Sequence, residues 1–255
     1  MPEPSCRRRL RFFADMDSLS HAVARAMVGV AQEAVHSQGH CRVALAGGST
    51  PRWLYELLAT RYRADMPWGG MRWFFGDERY VPPGDPQSNY QMAKAAMLDR
   101  VRVPGDRVHP MPTGYADPRQ AAAAYEAALR EIFPGAWPRF DLVLLGLGED
   151  GHTASLFPGS AVLADERRWV APSLAPGEPH RRLTLTYPVL NHAARTWFLV
   201  SGASKARALR LALRADTEPT LIPAAGIRPV DGELVWWADE AAAAELRYPP
   251  AEDQP

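Results

Sequence analysis

The strongest constraint on this chain is its alternation of short, almost wholly apolar runs with longer amphipathic stretches. Residues 42–46, 71–75, 140–145, 183–187, 197–200 and 234–237 read as strands. Between them the apolar residues fall at helical spacing: Leu19, Val23, Ala26, Val30 and Ala34 predict a helix over 18–37, ended near Gly39. Further helices are predicted over 50–59, 88–100, 118–133, 205–213 and 239–246, with Thr50 and Asp117 as caps ahead of Pro51 and Pro118, and Gln120 as the reciprocal partner of Asp117. Strands that are apolar on both faces and alternate with helices belong in a parallel sheet covered on both sides. The expected fold is therefore α/β and Rossmann-like: a largely parallel sheet with helices on both faces, in a single domain over 1–255. Pro and Gly clusters near 102–118 and 172–180 leave room for a small accessory lobe.

Charge and composition narrow the functional classes. The 255 residues hold 29 Lys and Arg against 29 Asp and Glu. A dedicated nucleic-acid binder needs a basic excess, so no nucleic-acid partner is expected. No apolar run approaches the ~18 residues that cross a bilayer, so no membrane partner is expected either. The basic run Arg7-Arg8-Arg9-Leu10-Arg11 is followed only by Phe12-Phe13-Ala14 before Asp15, too short for a secretory signal. The two cysteines, Cys6 and Cys41, lack metal-type spacing and form no disulfide framework, which points to a reducing cytoplasm.

In open parallel sheets the ligand sits beyond the carboxyl ends of the strands, and the unusual chemistry of this chain collects there. Gly47-Gly48-Ser49-Thr50-Pro51 follows the first predicted strand: two glycines let backbone N–H groups approach an anion, a helix N-terminus lies behind them, and Ser49 and Thr50 add hydroxyls. It matches neither a Walker loop nor GxGxxG, so ATP and dinucleotides are not indicated. Gly76-Asp77-Glu78-Arg79 brings an arginine, shaped for carboxylate or phosphate, to the same edge. In Gly146-Leu147-Gly148-Glu149-Asp150-Gly151-His152-Thr153 an imidazole follows a carboxylate by two positions, close enough for the carboxylate to fix its tautomer. Lys205 falls in the first turn of a predicted helix, where a cation opposes the dipole unless an anion is bound. No second ligand at metal spacing accompanies His152, and Ser155 and Ser160 lack a nucleophile-elbow frame.

Together these segments resemble the 6-phosphogluconolactonase family of the glucosamine/galactosamine-6-phosphate isomerase superfamily. The likeness rests, in order, on Leu45-Ala46-Gly47-Gly48-Ser49-Thr50-Pro51; on Phe75-Gly76-Asp77-Glu78-Arg79-Tyr80-Val81-Pro82 with Ser88-Asn89-Tyr90; on the run from Leu145 through Asp150-Gly151-His152-Thr153-Ala154-Ser155-Leu156-Phe157-Pro158; on Arg182-Leu183-Thr184-Leu185-Thr186; and on Ser201-Gly202-Ala203-Ser204-Lys205-Ala206. The resemblance implies hydrolysis of 6-phospho-D-glucono-1,5-lactone to 6-phosphogluconate with no cofactor and no metal. His152 is then the general base, and Asp150 either orients it or contacts a sugar hydroxyl. Gly47, Gly48, Ser49, Thr50 and Lys205 hold the 6-phosphate, Arg79 faces the lactone carbonyl or the phosphate, and Asp77 and Arg182 contact hydroxyls or the anion. A monomer or weak homodimer in the cytoplasm is expected.

Two alternatives share the fold. The glucosamine-6-phosphate deaminase/isomerase has Tyr where this chain has Arg79, and a ring-opening Glu where it has Phe157. A non-catalytic sugar-phosphate sensor carries an N-terminal helix-turn-helix, and the 17 residues ahead of the first predicted helix are too few for one.

Overall fold

The computed structural model describes residues 7–177 and 181–246, so Cys6, His180 and the end of the 172–180 cluster lie outside the described residues. In chain order the strands are β1 (Arg7–Phe13), β2 (Cys41–Leu45), β3 (Met71–Phe75), β4 (Asp77–Arg79), β5 (Leu142–Leu145), β6 (Val170–Leu174), β7 (Arg181–Leu185), β8 (Arg195–Val200) and β9 (Glu233–Asp239). The helices are α1 (Met16–Gln38), α2 (Ser49–Ala59), α3 (Asn89–Ala93), α4 (Asp99–Val101), α5 (Pro118–Ile132), α6 (Tyr187–Asn191) and α7 (Ala206–Leu213). A π-helical turn, Lys94–Leu98, joins α3 to α4.

Six strands form one sheet in the order β1-β9-β8-β5-β2-β3, and every adjacent pair is parallel. All four residues of β5 and the last five of β8 are buried, which requires cover on both faces. The chain passes from β2 outward to β3 on one side, and from β5 through β8 to β9 on the other. The direction of winding therefore reverses between β2 and β5, and a crevice opens where their carboxyl-end loops diverge. The remaining strands form an antiparallel sheet, β4-β7-β6. Gly76 joins the two sheets: its N–H donates to Leu45 O of β2 at 2.9 Å, and its carbonyl accepts from Leu185 N of β7 at 2.8 Å.

Local chemistry explains most boundaries. Asp15 and Ser18 make a reciprocal capping box at the start of α1, and Gly39 closes its end with an N–H to Val35 O. The stripe of α1 that enters the core is Leu19, Val23, Met27, Ala31 and Ala34, while Ala26 and Val30 of the expected face are only half-buried. Asp117 caps α5 through Arg119 N and also binds the Arg119 guanidinium.

Several expectations are corrected. The basic N-terminal run is the edge strand β1, with Arg9 paired to Glu233 at 3.2 Å and Arg11 lying 5.0 Å from the Trp237 ring centre. Charge on an edge strand discourages pairing with a second chain. Residues 77–79, given no element of their own after the predicted strand 71–75, are the strand β4. Part of the 172–180 cluster is β6 of the small sheet, whereas 102–118 contributes a 3-10 turn, Gly105–Arg107, and no strand. Thr50 is not a cap: α2 begins at Ser49, behind Gly48. Residues 239–246 do not form a helix, because β9 runs through Asp239 and turns follow. The Asp239 carboxylate accepts from Ser201 Oγ, Gly202 N and Ala242 N, pinning the loop after β8.

Glu78 supports the small sheet from inside. It is 2% exposed, and its carboxylate accepts from Arg79 N, Ser88 Oγ, Asn89 N and Tyr90 N at 2.7–2.9 Å, which anchors the start of α3. Burial pushes its carboxyl above the ordinary value against the pull of those donors. Glu78→Gln would turn an amide NH₂ toward at least one backbone N–H, whichever way the amide is flipped. With about 1–3 kcal/mol for each buried donor left unpaired, and roughly 2–4 °C per kcal/mol in a domain of this size, the variant should melt at least several degrees lower by calorimetry.

Candidate active site

One cleft, of about 220 Å³, opens at the carboxyl ends of β8, β5, β2 and β3, at the winding reversal. It is walled on four sides.

The first wall follows β2. Tyr55, wholly buried on α2, donates from its hydroxyl to Ala46 O at 2.8 Å and accepts from Ala46 N at 3.0 Å, so helix and strand end are locked together. Burial raises its phenol far above the ordinary value and keeps it protonated. The chain then turns through Gly48 at φ 101°, a left-handed conformation that disfavours any residue with a Cβ. No side chain caps α2. Its first-turn N–H groups and positive dipole end therefore face the cleft, beside Ser49 and Thr50.

The second wall comes from the small sheet. Arg79 on β4 and Arg182 on β7 are directly opposite one another, and both line the cleft. Two guanidinium groups on one wall bring positive charge to the cleft. Arg79 Nη1 donates to Gln87 O at 2.7 Å, which fixes its direction. Asp77 also lines the cleft, but its carboxylate is engaged by the protein: Oδ1 accepts from Asn89 Nδ2 at 3.0 Å and Oδ2 from Ser155 Oγ at 2.7 Å.

The third wall is the loop after β5. Gly148 N donates to His152 O at 2.8 Å and Thr153 Oγ1 to Gly146 O at 2.9 Å, folding the loop back on itself. A Cβ on Gly148 would stand 2.0 Å from His152 Nδ1 and 2.5 Å from Asp150 Oδ1, so only glycine permits the imidazole to lie there. His152 Nδ1 is 2.6 Å from Asp150 Oδ1, and the same oxygen accepts from His152 N at 3.1 Å. With Nδ1–H donating to the carboxylate, the lone pair is left on Nε2. The Phe157 ring lies 4.7 Å from the imidazole, centre to centre.

The fourth contribution is Lys205, at the end of a 3-10 turn, Ala203–Lys205, that leads into α7. Lys205 lines the cleft, and its Nζ is 3.8 Å from Glu149 Oε1.

Of the residues expected at the site, Gly47, Gly48, Ser49, Thr50, Asp77, Arg79, His152, Arg182 and Lys205 line this cleft together. Asp150 does not. It sits behind His152 and lines a neighbouring depression with Glu149 and Arg207. Its geometry is that of a partner to the imidazole. The sequence reading missed Asn89, Ser155 and Ala154. Asn89 and Ala154 line the cleft, and Ser155 grips Asp77 from within the core. Their place in the runs that carry the family resemblance was the one available signal, and it names no bond. Among the described residues, no group of three or more His, Cys, Asp or Glu is placed to hold a metal ion.

Burial opposes ionisation of Asp150, but the bonds from the His152 ring and backbone outweigh it and hold the carboxyl below its ordinary value. A depressed carboxyl stabilises the fold above its unfolded pKa, about 4, and loses that contribution as pH falls through the folded value. Asp150→Asn should therefore lower the urea midpoint at neutral pH, and the gap from wild type should close on acidification below pH ~4.

The chain matches the family described as glucosamine-6-phosphate isomerases/6-phosphogluconolactonase over residues 14–236. A 6-phosphogluconolactonase of Synechocystis sp. is 45% identical over 218 residues, covering 84% of this chain and 88% of the relative. The human GDH/6PGL endoplasmic bifunctional protein is 38% identical over 228 residues, 88% of this chain but 28% of that longer protein. Among solved structures, 6-phosphogluconolactonase from Trypanosoma brucei superposes with a TM-score of 0.86 at 30% identity, covering 95% of this chain and 100% of its own. A monomeric glucosamine-6-phosphate deaminase reaches 0.79 at 21% identity over 93% and 99%, a likeness of fold alone.

Proposed function

The chain belongs to the glucosamine-6-phosphate isomerase/6-phosphogluconolactonase family, and within it we propose a lactone hydrolase that converts 6-phospho-D-glucono-1,5-lactone to 6-phospho-D-gluconate in the oxidative pentose phosphate pathway. One observation carries the reading beyond family membership. The imidazole of His152 shares a single cleft with the uncapped N-terminus of α2, and the residue packed against its ring is Phe157. Phenylalanine accepts no proton, so the carboxylate needed for opening an amino-sugar ring is absent from that place.

A lactone carbonyl is already electrophilic. Hydrolysis needs a water, a base and positive charge for the developing oxyanion. His152 Nε2 takes a proton from water as its oxygen attacks the carbonyl carbon. Asp150 holds the ring in the required tautomer and steadies the imidazolium that forms. The imidazolium then returns the proton to the ring oxygen as the C–O bond breaks. Backbone N–H groups of the 47–50 turn, the hydroxyls of Ser49 and Thr50, and Lys205 hold the 6-phosphate. Arg79 and Arg182 add positive charge on the facing wall, which draws in a dianionic sugar phosphate. The balanced net charge supports the absence of a nucleic-acid partner, and among the described residues no helix is long and apolar enough to cross a membrane. The protein is proposed to act as one domain, monomeric or weakly dimeric, in the cytoplasm.

The deciding assay supplies fresh 6-phosphogluconolactone and, separately, glucosamine 6-phosphate, with spontaneous lactone hydrolysis subtracted. Acid release without ammonia is expected; ammonia would select the deaminase, and tight binding without turnover a sensor. His152→Ala should lower kcat by about 10²–10⁴, the usual cost of losing a general base, while substrate still binds. Lys205→Ala should instead act mainly on KM in steady-state kinetics, because a phosphate contact is alike in ground and transition states.

A further inference from the structure

Ser155 lies three residues beyond His152 and is fully buried. Its backbone N–H donates to Thr184 Oγ1 at 3.2 Å, its carbonyl accepts from Ser173 Oγ at 2.7 Å, and its hydroxyl donates to Asp77 Oδ2 at 2.7 Å. Those partners belong to β7, β6 and β4 respectively, so one residue is bonded to each strand of the small sheet. A serine in a turn ordinarily satisfies its own neighbouring backbone. This hydroxyl spans 78 positions of sequence to reach a buried carboxylate.

Between His152 and Ser155 the backbone is forced. Ala154 has φ 48°, left-handed without being glycine, and Leu156 N closes the turn on Thr153 O at 2.9 Å. A conformation of this kind persists only where its surroundings over-determine it, and three bonds converge on the very next residue, Ser155. Upstream, the His152 loop is bonded to itself, Gly148 N to His152 O and Thr153 Oγ1 to Gly146 O, and to the 223–226 turn, where Ala224 N donates to Gly151 O at 3.0 Å. They shape the loop without fixing it against the opposite wall. Ser155 fixes it there, through the same Asp77 whose other oxygen is held by Asn89.

We propose that Ser155 is the positioning residue that sets the span between His152 and the Arg79–Arg182 wall, and with it the line of attack of water on the carbonyl. The proposal rests on the reading of His152 as base. The phosphate grip at the 47–50 turn and Lys205 lies on other elements, so the loss of Ser155 acts on the chemical step and spares binding.

The test compares wild type with Ser155→Ala and Ser173→Ala, the second removing only the bond to the Ser155 carbonyl. Each is measured by steady-state kinetics on the lactone, by calorimetric titration with 6-phosphogluconate, and by thermal melting. Misplacement of a reacting group by about 1 Å costs up to roughly 100-fold. Ser155→Ala should lose about 10- to 100-fold in kcat on that scale, and Ser173→Ala less, with KM and product affinity unchanged in both. An unchanged kcat in the folded variants overturns the proposal, as does a loss of product affinity matching the loss of kcat. If Ser155→Ala does not fold, the same split in Ser173→Ala decides. Wild-type turnover tests the lactonase reading, and the variant-to-wild-type ratio tests Ser155, so the two failures are distinguishable.

Discussion

The reversal of winding between β2 and β5 is the constraint on which the rest of the molecule depends. Parallel strands must be linked by crossovers, and where successive crossovers go opposite ways the loops at the carboxyl ends part company. The 47–50 turn leaves one side of that gap and the His152 loop the other. The uncapped N-terminus of α2 and the loop that carries His152 thus share one cleft through topology. Side chains then refine the gap: Tyr55 stiffens the first loop from beneath, and Asp239 holds the strand end from which Lys205 departs.

The small antiparallel sheet answers a different need. A parallel sheet presents its ligand site from one edge only, and a substrate with a charged end and a reacting end must be held across two surfaces. β4 departs from β3 after a single glycine and turns Arg79 and Arg182 toward the cleft. The joint between the sheets is polar and buried: Glu78, Asp77, Asn89, Ser155 and Thr184 meet in a network in which nearly every donor has an acceptor. Such a network is costly when broken and specific when complete. It suits a place where two walls must keep a fixed separation.

The sequence exposed the parallel sheet well because its inner strands are apolar on both faces, and β3 lies where the run 71–75 predicted. It exposed the small sheet poorly. β4 has three residues, all charged, and β6 contains Pro172 and Ser173, so neither carries a strand-like pattern. β1 was hidden by arginines, two of which set their guanidinium groups over the rings of Trp236 and Trp237. The 239–246 run has helical composition, but Asp239 is committed to the loop after β8 and the chain beyond it turns instead. At the site, charged and glycine-rich loops at strand ends announced most of the cleft. Ser155 and Asn89 were not legible, since their partners lie far off in sequence and only folding brings them within reach.

Gly148 shows where such a site is most fragile. It has no side chain, yet the volume of one methyl group at that position is already occupied by the imidazole and its carboxylate. The pairing of His152 with Asp150 is therefore encoded as much by a missing side chain as by the two that meet. In a library of random variants, the most damaging lesions in this loop need touch neither His152 nor Asp150, and an inventory of reactive residues alone would overlook them.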